Sequence, residues 1–275
     1  SKTLLPLLDA SNMLVCGEDL GLVPACAAGV LRSLGILGLR VQRMPARGEG
    51  VAAAAAEFGD PALYPYLSVA SPSTHDMPPL RAWWEGNGEG GEGKGEENPQ
   101  QQRLRERFWF AALGRAGSPP RKCTPDLVSA VVGSHAHSPA MLAVFALQDV
   151  LAMSRRAYRG GGSEEKKKSD EDDEDENDGD NDGFSYSRPP PRPAAESIND
   201  PSVRRHYWRW RCHASVEEME KDTEMTGGLR RMLESAGRDV GSGERRRRKG
   251  RGRRSERRSS VDEAAAAAVA RVSIK

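Results

Sequence analysis

Apolar positions are densest between residues 1 and 84, and their spacing predicts alternating strands and helices. Met13-Leu14-Val15-Cys16 is a short continuous apolar run ended by Gly17, the pattern of a strand buried on both faces of a parallel sheet. Pro24 then sits where a first helical turn tolerates it, Ala25 to Leu34 form a helical stretch, and Gly35 stands where such a helix would stop. Ile36 to Met44 alternates enough for a second strand. Strand, helix and strand with short links is the βαβ arrangement of a parallel α/β protein. A third strand is predicted over Leu63 to Ala70. It runs into Ser71-Pro72-Ser73-Thr74-His75-Asp76, and a helix opens at Leu80-Arg81-Ala82-Trp83-Trp84-Glu85.

Further along, Gly86 to Gln102 is rich in Gly, Glu and Asn and predicts a mobile loop. Arg103 to Leu113 and Thr124 to Val132 predict helices, the second with Thr124 as N-cap and Pro125 at its first position. Met141 to Leu147 predicts a fourth strand, although a buried helix would give the same apolar run. From Gly160 the chain is Gly-rich, then Lys-rich, acidic and Pro-rich, with too few apolar groups to offset its ordering entropy. Order signals return with Tyr207, Trp208 and Trp210 and a polar helical pattern from Ser215. The expected organisation is a first region at 1–159, a disordered acidic and Pro-rich insertion at 160–195, a return to the same domain at 196–240, and a disordered Arg-rich tail at 241–275.

Composition sharpens this picture. Of 275 residues only 37% are hydrophobic, below the ~45–50% usual for globular chains, so part of the chain is not core. The net charge of +1 hides ten acids between Asp170 and Asp182 and ten bases between Arg245 and Arg258. The cysteines Cys16, Cys26, Cys123 and Cys212 form no C-x-x-C pair and lack the density of a disulfide scaffold, which favours a reducing compartment. No apolar run approaches the ~18–20 residues of a membrane span, and Ser1-Lys2-Thr3-Leu4-Leu5-Pro6 is no secretory signal. A soluble, intracellular protein is expected. The chain opens on Ser1 rather than Met, which hints at a natural start further upstream.

Two carboxylates stand out by position, Glu18 just after the first strand and Asp76 just after the third. Parallel barrels bring side chains from strand C-terminal ends into one cleft, so residues distant in sequence meet there. Acid/base work on a glycosidic bond needs one protonated carboxyl for the leaving oxygen and ionised ones facing the oxocarbenium ion. An acidic residue after a strand is also commonly a helix cap or a solvated charge, and position alone does not decide between the two. His135-x-His137 lacks a third ligand at metal-site spacing, so exposed loop histidines are the expectation and no metal or other cofactor is assigned. The tryptophans suit core packing more than sugar stacking. There is no P-loop and no dinucleotide fingerprint. The Arg run could meet phosphate backbones, but no aromatic residues interleave it for base stacking.

The wording of the motifs adds a resemblance. Cys16-Gly17-Glu18-Asp19-Leu20-Gly21-Leu22-Val23-Pro24, Leu39-Arg40-Val41-Gln42-Arg43-Met44, Pro72-Ser73-Thr74-His75-Asp76 and Leu80-Arg81-Ala82-Trp83-Trp84-Glu85 occur in that order. Cys123-Thr124-Pro125-Asp126, Phe145-Ala146-Leu147-Gln148-Asp149, Ile198-Asn199-Asp200-Pro201 and His206-Tyr207-Trp208-Arg209-Trp210-Arg211 continue it. Together they resemble the 4-α-glucanotransferases of glycoside hydrolase family 77, most of all the plant-type cytosolic disproportionating branch.

The resemblance implies a (β/α)8 barrel that transfers glucosyl or glucanosyl units between α-1,4-glucans with retention, using maltose or glucan donors and glucan acceptors in starch and maltose metabolism. It puts Glu18 on the general acid/base, Asp76 on the carboxylate that stabilises the transition state, and His75 on a histidine that binds sugar hydroxyls. The family's nucleophilic Asp lies upstream of its acid/base. Asp9, in Leu7-Leu8-Asp9-Ala10-Ser11, lacks the arginine-bearing nucleophile motif, so no nucleophile is assigned in this chain. The expectation is therefore the second half of a barrel, inactive alone. The rival expectation is a catalytically silent interaction protein that presents its charged tails to partners or nucleic acid.

Overall fold

The computed structural model describes residues 13–44, 58–86, 98–158, 184–202 and 210–238, with residues 6, 10 and 208 in isolation. The expected insertion before residue 184 and the Arg-rich tail lie outside the described residues, as does Asp9. Residues up to Gly237 form one compact unit; of the second, Arg238–Lys275, only Arg238 is described.

Among the described residues four strands, β1 (Cys16–Gly17), β2 (Leu37–Val41), β3 (Ser68–Ser71) and β4 (Leu142–Ala143), form one sheet in the order β1-β2-β3-β4. Every pair is parallel, with Cys16 opposite Leu37, Leu39 opposite Val69 and Val69 opposite Leu142. Sequential parallel order without a reversal is how a barrel is wound; a doubly wound sheet changes direction part-way.

The helices are α1 (Ala27–Ser33), α2 (Leu80–Glu85), α3 (Pro99–Arg107), α4 (Pro125–Ala136), α5 (Leu147–Leu151), α6 (Val216–Lys221) and α7 (Thr223–Ser235). Local chemistry starts several of them. Thr124 Oγ1 accepts from Leu127 N at 3.3 Å with Pro125 next in line. Ser215 and Glu218 close a reciprocal capping box on α6, and Asp222 Oδ1 caps α7 at Met225 N, 3.1 Å away.

The core lies where α2, α4 and the turn after α3 meet. Trp84, Phe108, Leu127, Val128 and Val131 are fully buried there. Phe108 sits edge-on to Phe58 and Trp83, with ring centroids at 4.9 and 5.0 Å. A second cluster packs Leu151, Tyr186, Ala214 and Met225.

Several expectations need correction. Residues 184–195, expected within the disordered insertion, are ordered. Tyr186 is buried and donates to Asp222 Oδ2 at 2.8 Å, and Pro193–Glu196 form a 3-10 turn. Composition undervalued this stretch because one aromatic anchor and its partner, 36 residues away, hold it. The first strand is shorter than expected and not buried on both faces: β1 is Cys16–Gly17, Cys16 is exposed, and Met13 and Leu14 precede the strand, 77% and 56% exposed, because only the α1 side, where Leu31 lies against Gly17, is covered among the described residues. Strand three starts only at Ser68, after a 3-10 turn at Pro61–Leu63 and a further proline at position 65. Strand four ends at Ala143, and α5 begins at Leu147. Residues 99–102, expected in a loop, open α3 behind an Asn98 cap, and Phe108–Ala112 continue it as a π-turn.

Candidate active site

Glu18 follows β1 directly, exposed, while its neighbour Asp19 turns back onto the sheet. Asp19 Oδ1 accepts from Leu39 N at 2.7 Å, and its Oδ2 pairs with Arg40 Nη1 at 2.8 Å. The carboxylate is admitted by Gly38, where a Cβ would stand 3.0 Å from Asp19 Oδ2. This tie fixes the turn after β1 that carries Glu18.

Asp76 lies in the turn after β3. Asp76 N donates to Thr74 Oγ1 at 3.3 Å and Met77 N to Thr74 O at 3.1 Å. His75 Nε2 stands 3.2 Å from Asp76 Oδ1, and Asn199 Nδ2 donates to the same oxygen. The His75 ring lies 5.1 Å from that of Trp208.

A polar frame brings Asn199 there. Arg81 Nη2 donates to Pro191 O at 2.8 Å, Arg81 Nη1 meets Glu196 Oε1 at 3.4 Å, and buried Gln148 donates through Nε2 to Glu196 O at 3.0 Å. Asn199 and Gln148 lie within the motifs Ile198-Asn199-Asp200-Pro201 and Phe145-Ala146-Leu147-Gln148-Asp149, yet spacing alone gives them no task. Their 123- and 48-residue separations from Asp76 and Glu196 explain why.

Glu18, His75 and Asp76 line one cleft of about 720 Å³, walled by Leu39, Val69 and Phe145. The two carboxylates come from strand ends with β2 between them. The other histidine pair is not at this cleft. His135 is not an exposed loop residue but is fully buried on α4, its Nδ1 2.8 Å from Val131 O, and burial holds its imidazole down at about 4. His137 is exposed at the end of α4. Among the described residues no helix is long and apolar enough to cross a membrane.

A family model described as 4-alpha-glucanotransferase, glycoside hydrolase family 77, matches residues 2–217. The chain belongs to this family. It is similar to the 4-alpha-glucanotransferase DPE2 of Oryza sativa subsp. japonica, 35% identical over 237 residues, 86% of this chain and 20% of that protein. A 4-alpha-glucanotransferase of Chlamydia muridarum is 39% identical over 102 residues, 37% of this chain and 16% of that one. Among solved structures, an amylomaltase from Streptococcus agalactiae in complex with acarbose overlaps with a TM-score of 0.47 at 14% identity, covering 84% of this chain and 33% of its own. This family member thus spans about a fifth of the length of its rice relative.

Proposed function

We propose that this chain supplies part of the catalytic barrel of a retaining 4-α-glucanotransferase acting on α-1,4-glucans. The observation that carries the reading is that Glu18 and Asp76, at the ends of alternate parallel strands, line a single cleft. The sequential strand order is that of a barrel segment, and family membership supplies the reaction class.

In this reading Glu18 protonates the glycosidic oxygen as a nucleophilic carboxylate attacks the anomeric carbon, breaking the C–O bond and forming a glycosyl ester. Glu18 then takes the proton from the acceptor hydroxyl as that oxygen displaces the ester. Asp76, held by Asn199, faces the positive charge on the anomeric centre. His75 binds sugar hydroxyls, and the nucleophile comes from polypeptide outside residues 1–275.

The test is formation of glucose and longer glucans from maltose plus a glucan acceptor. The 275-residue chain alone is expected to be inactive, and the chain joined to a nucleophile-bearing half active. In the joined protein, Glu18→Gln should cost about 10²–10⁴-fold, and Asp76→Asn should also be severely impaired. Turnover by the chain alone, or near-full activity with Gln at position 18, refutes the reading.

A further inference from the structure

Three prolines surround the turn that carries His75 and Asp76: Pro72 before it, Pro78 and Pro79 after it. Proline has no N–H, so positions 72, 78 and 79 at the ends of this loop offer no backbone donor. Its part-buried carbonyls at either end need partners from elsewhere, because a desolvated carbonyl left unpaired is destabilising. Arg43, just beyond β2, supplies them. Its Nε donates to Pro72 O at 3.2 Å and its Nη2 to Pro78 O at 2.5 Å, so one planar guanidinium bridges both ends of the turn. The same group lies over the Trp83 ring, 5.1 Å from its centroid.

The chain leaves the loop into α2, whose N-cap is Pro79 with no side-chain cap of its own. The missing acceptor comes from α5: Asp149 Oδ1, fully buried, accepts from Leu80 N at 2.7 Å. Asp149 and Arg43 influence each other electrostatically, although no direct ion pair joins them among the described residues. Burial pulls Arg43 down to about 10, with the Asp149 carboxylate opposing that fall. The guanidinium therefore stays charged at neutral pH.

We propose that Arg43 and Asp149 are a positioning pair for Asp76, Arg43 by clamping the two proline carbonyls at the ends of its turn and Asp149 by capping the helix into which the turn runs. Neither side chain lines the cleft; both act through the backbone that carries the carboxylate. A guanidinium fork satisfies two carbonyls in fixed geometry, whereas a lysine ammonium offers only a point charge. The inference rests on the reading of Asp76 as a carboxylate that acts in the transition state. Displacing such a group lowers kcat and leaves KM nearly unchanged.

Two measurements test it. Hydrogen exchange on the 275-residue chain reads the turn without any activity. Arg43→Met should speed exchange of the Asp76, Met77 and Leu80 amides about tenfold or more, leave the α4 amides unchanged, and be partly rescued by Arg43→Lys. In the joined transferase, Arg43→Met and Asp149→Asn should each lower kcat by about 10–100-fold with KM within about twofold. The double variant should be no slower than the slower single. If Arg43→Met does not fold, Arg43→Lys and Asp149→Asn carry the same readouts. Unchanged exchange in the turn, an unchanged kcat, or additive losses overturn the pair. Asp76→Asn is the control: if it leaves transfer intact, the functional reading fails, whereas if it abolishes transfer while the Arg43 variants do not, only the positioning proposal fails.

Discussion

Lowering the pH from 7 to 4 should cost this fold about 3 kcal/mol through His135 alone. The ring sits wholly inside, edge-on to Tyr64 at 6.3 Å, on the face of α4 turned toward the core. Burial lowers its pKa from 6.5 to about 4, while hydrogen bonds with the backbone of Val131 and Ser71 offset part of that fall. A histidine that resists protonation in the fold makes the unfolded chain bind more protons between those two values. Its contribution is then fully present above 6.5 and is lost as pH falls toward 4. At about 1.4 kcal/mol per pH unit, an interval of roughly 2.5 units amounts to about 3 kcal/mol. Asp149 acts with the opposite sign, since burial raises its carboxyl and protonation on acidification favours the fold. The assay is therefore a difference: urea unfolding of wild type and His135→Gln from pH 7.5 to 4. The wild type should lose stability more steeply than the variant. Parallel curves would show that the ring titrates alike in both states, and the argument from burial would fall.

Two further outcomes are expected. Phe108→Ala should destabilise the compact unit by about 3–5 kcal/mol in chemical denaturation, since a fully buried ring with aromatic neighbours on two sides leaves a cavity that cannot collapse; a loss below ~1 kcal/mol would mean that the α2–α4 core is not packed as described. Hydrogen bonds from the Ser215 backbone, and next from Ser187, hold Glu218 at about 2 instead of 4.5. Its stabilisation is present above 4.5 and lost as pH falls toward 2, so Glu218→Gln should flatten the stability curve in that window, and an unchanged slope would count against the capping box.

What could be read from the sequence follows the range of the interactions. Thr124-Pro125 starts α4 through contacts within three residues, and Gly35, at φ +66, terminates α1 through its own backbone freedom. Such signals are local and were legible. Parallel pairing was legible too, since apolar runs alternating with helices leave little else. Glu18 and Asp76 could be paired only by adding a barrel's geometry to a resemblance. Tyr186, Asn199 and the Arg43 clamp were invisible: their partners lie 36, 123, and 29 and 35 residues away. Composition reads a segment by what it could bury alone, and so it undervalued residues 184–195, where one phenol reaches a buried carboxylate.

The open flank of the sheet bears on the chemistry. Leu14, before the outer strand β1, is 56% exposed, Val144, just beyond β4, 53%, and Leu22, in the loop after Glu18, is fully exposed. Apolar groups at both edges of a parallel sheet are what barrel closure would cover, at roughly 25 cal/mol per Å² removed from water. A carboxyl acting as general acid must hold its proton near neutral pH, which desolvation or a neighbouring negative charge provides. In the proposed reading that acid is Glu18, which follows the edge strand β1 and is open to solvent, whereas the loop bearing Asp76 is held by hydrogen bonds from Arg43 within this chain. The two carboxylates thus depend on closure to different degrees. Polypeptide covering the β1 edge would stabilise the sheet and desolvate the acid in one step, while the Asp76 loop would need no rearrangement.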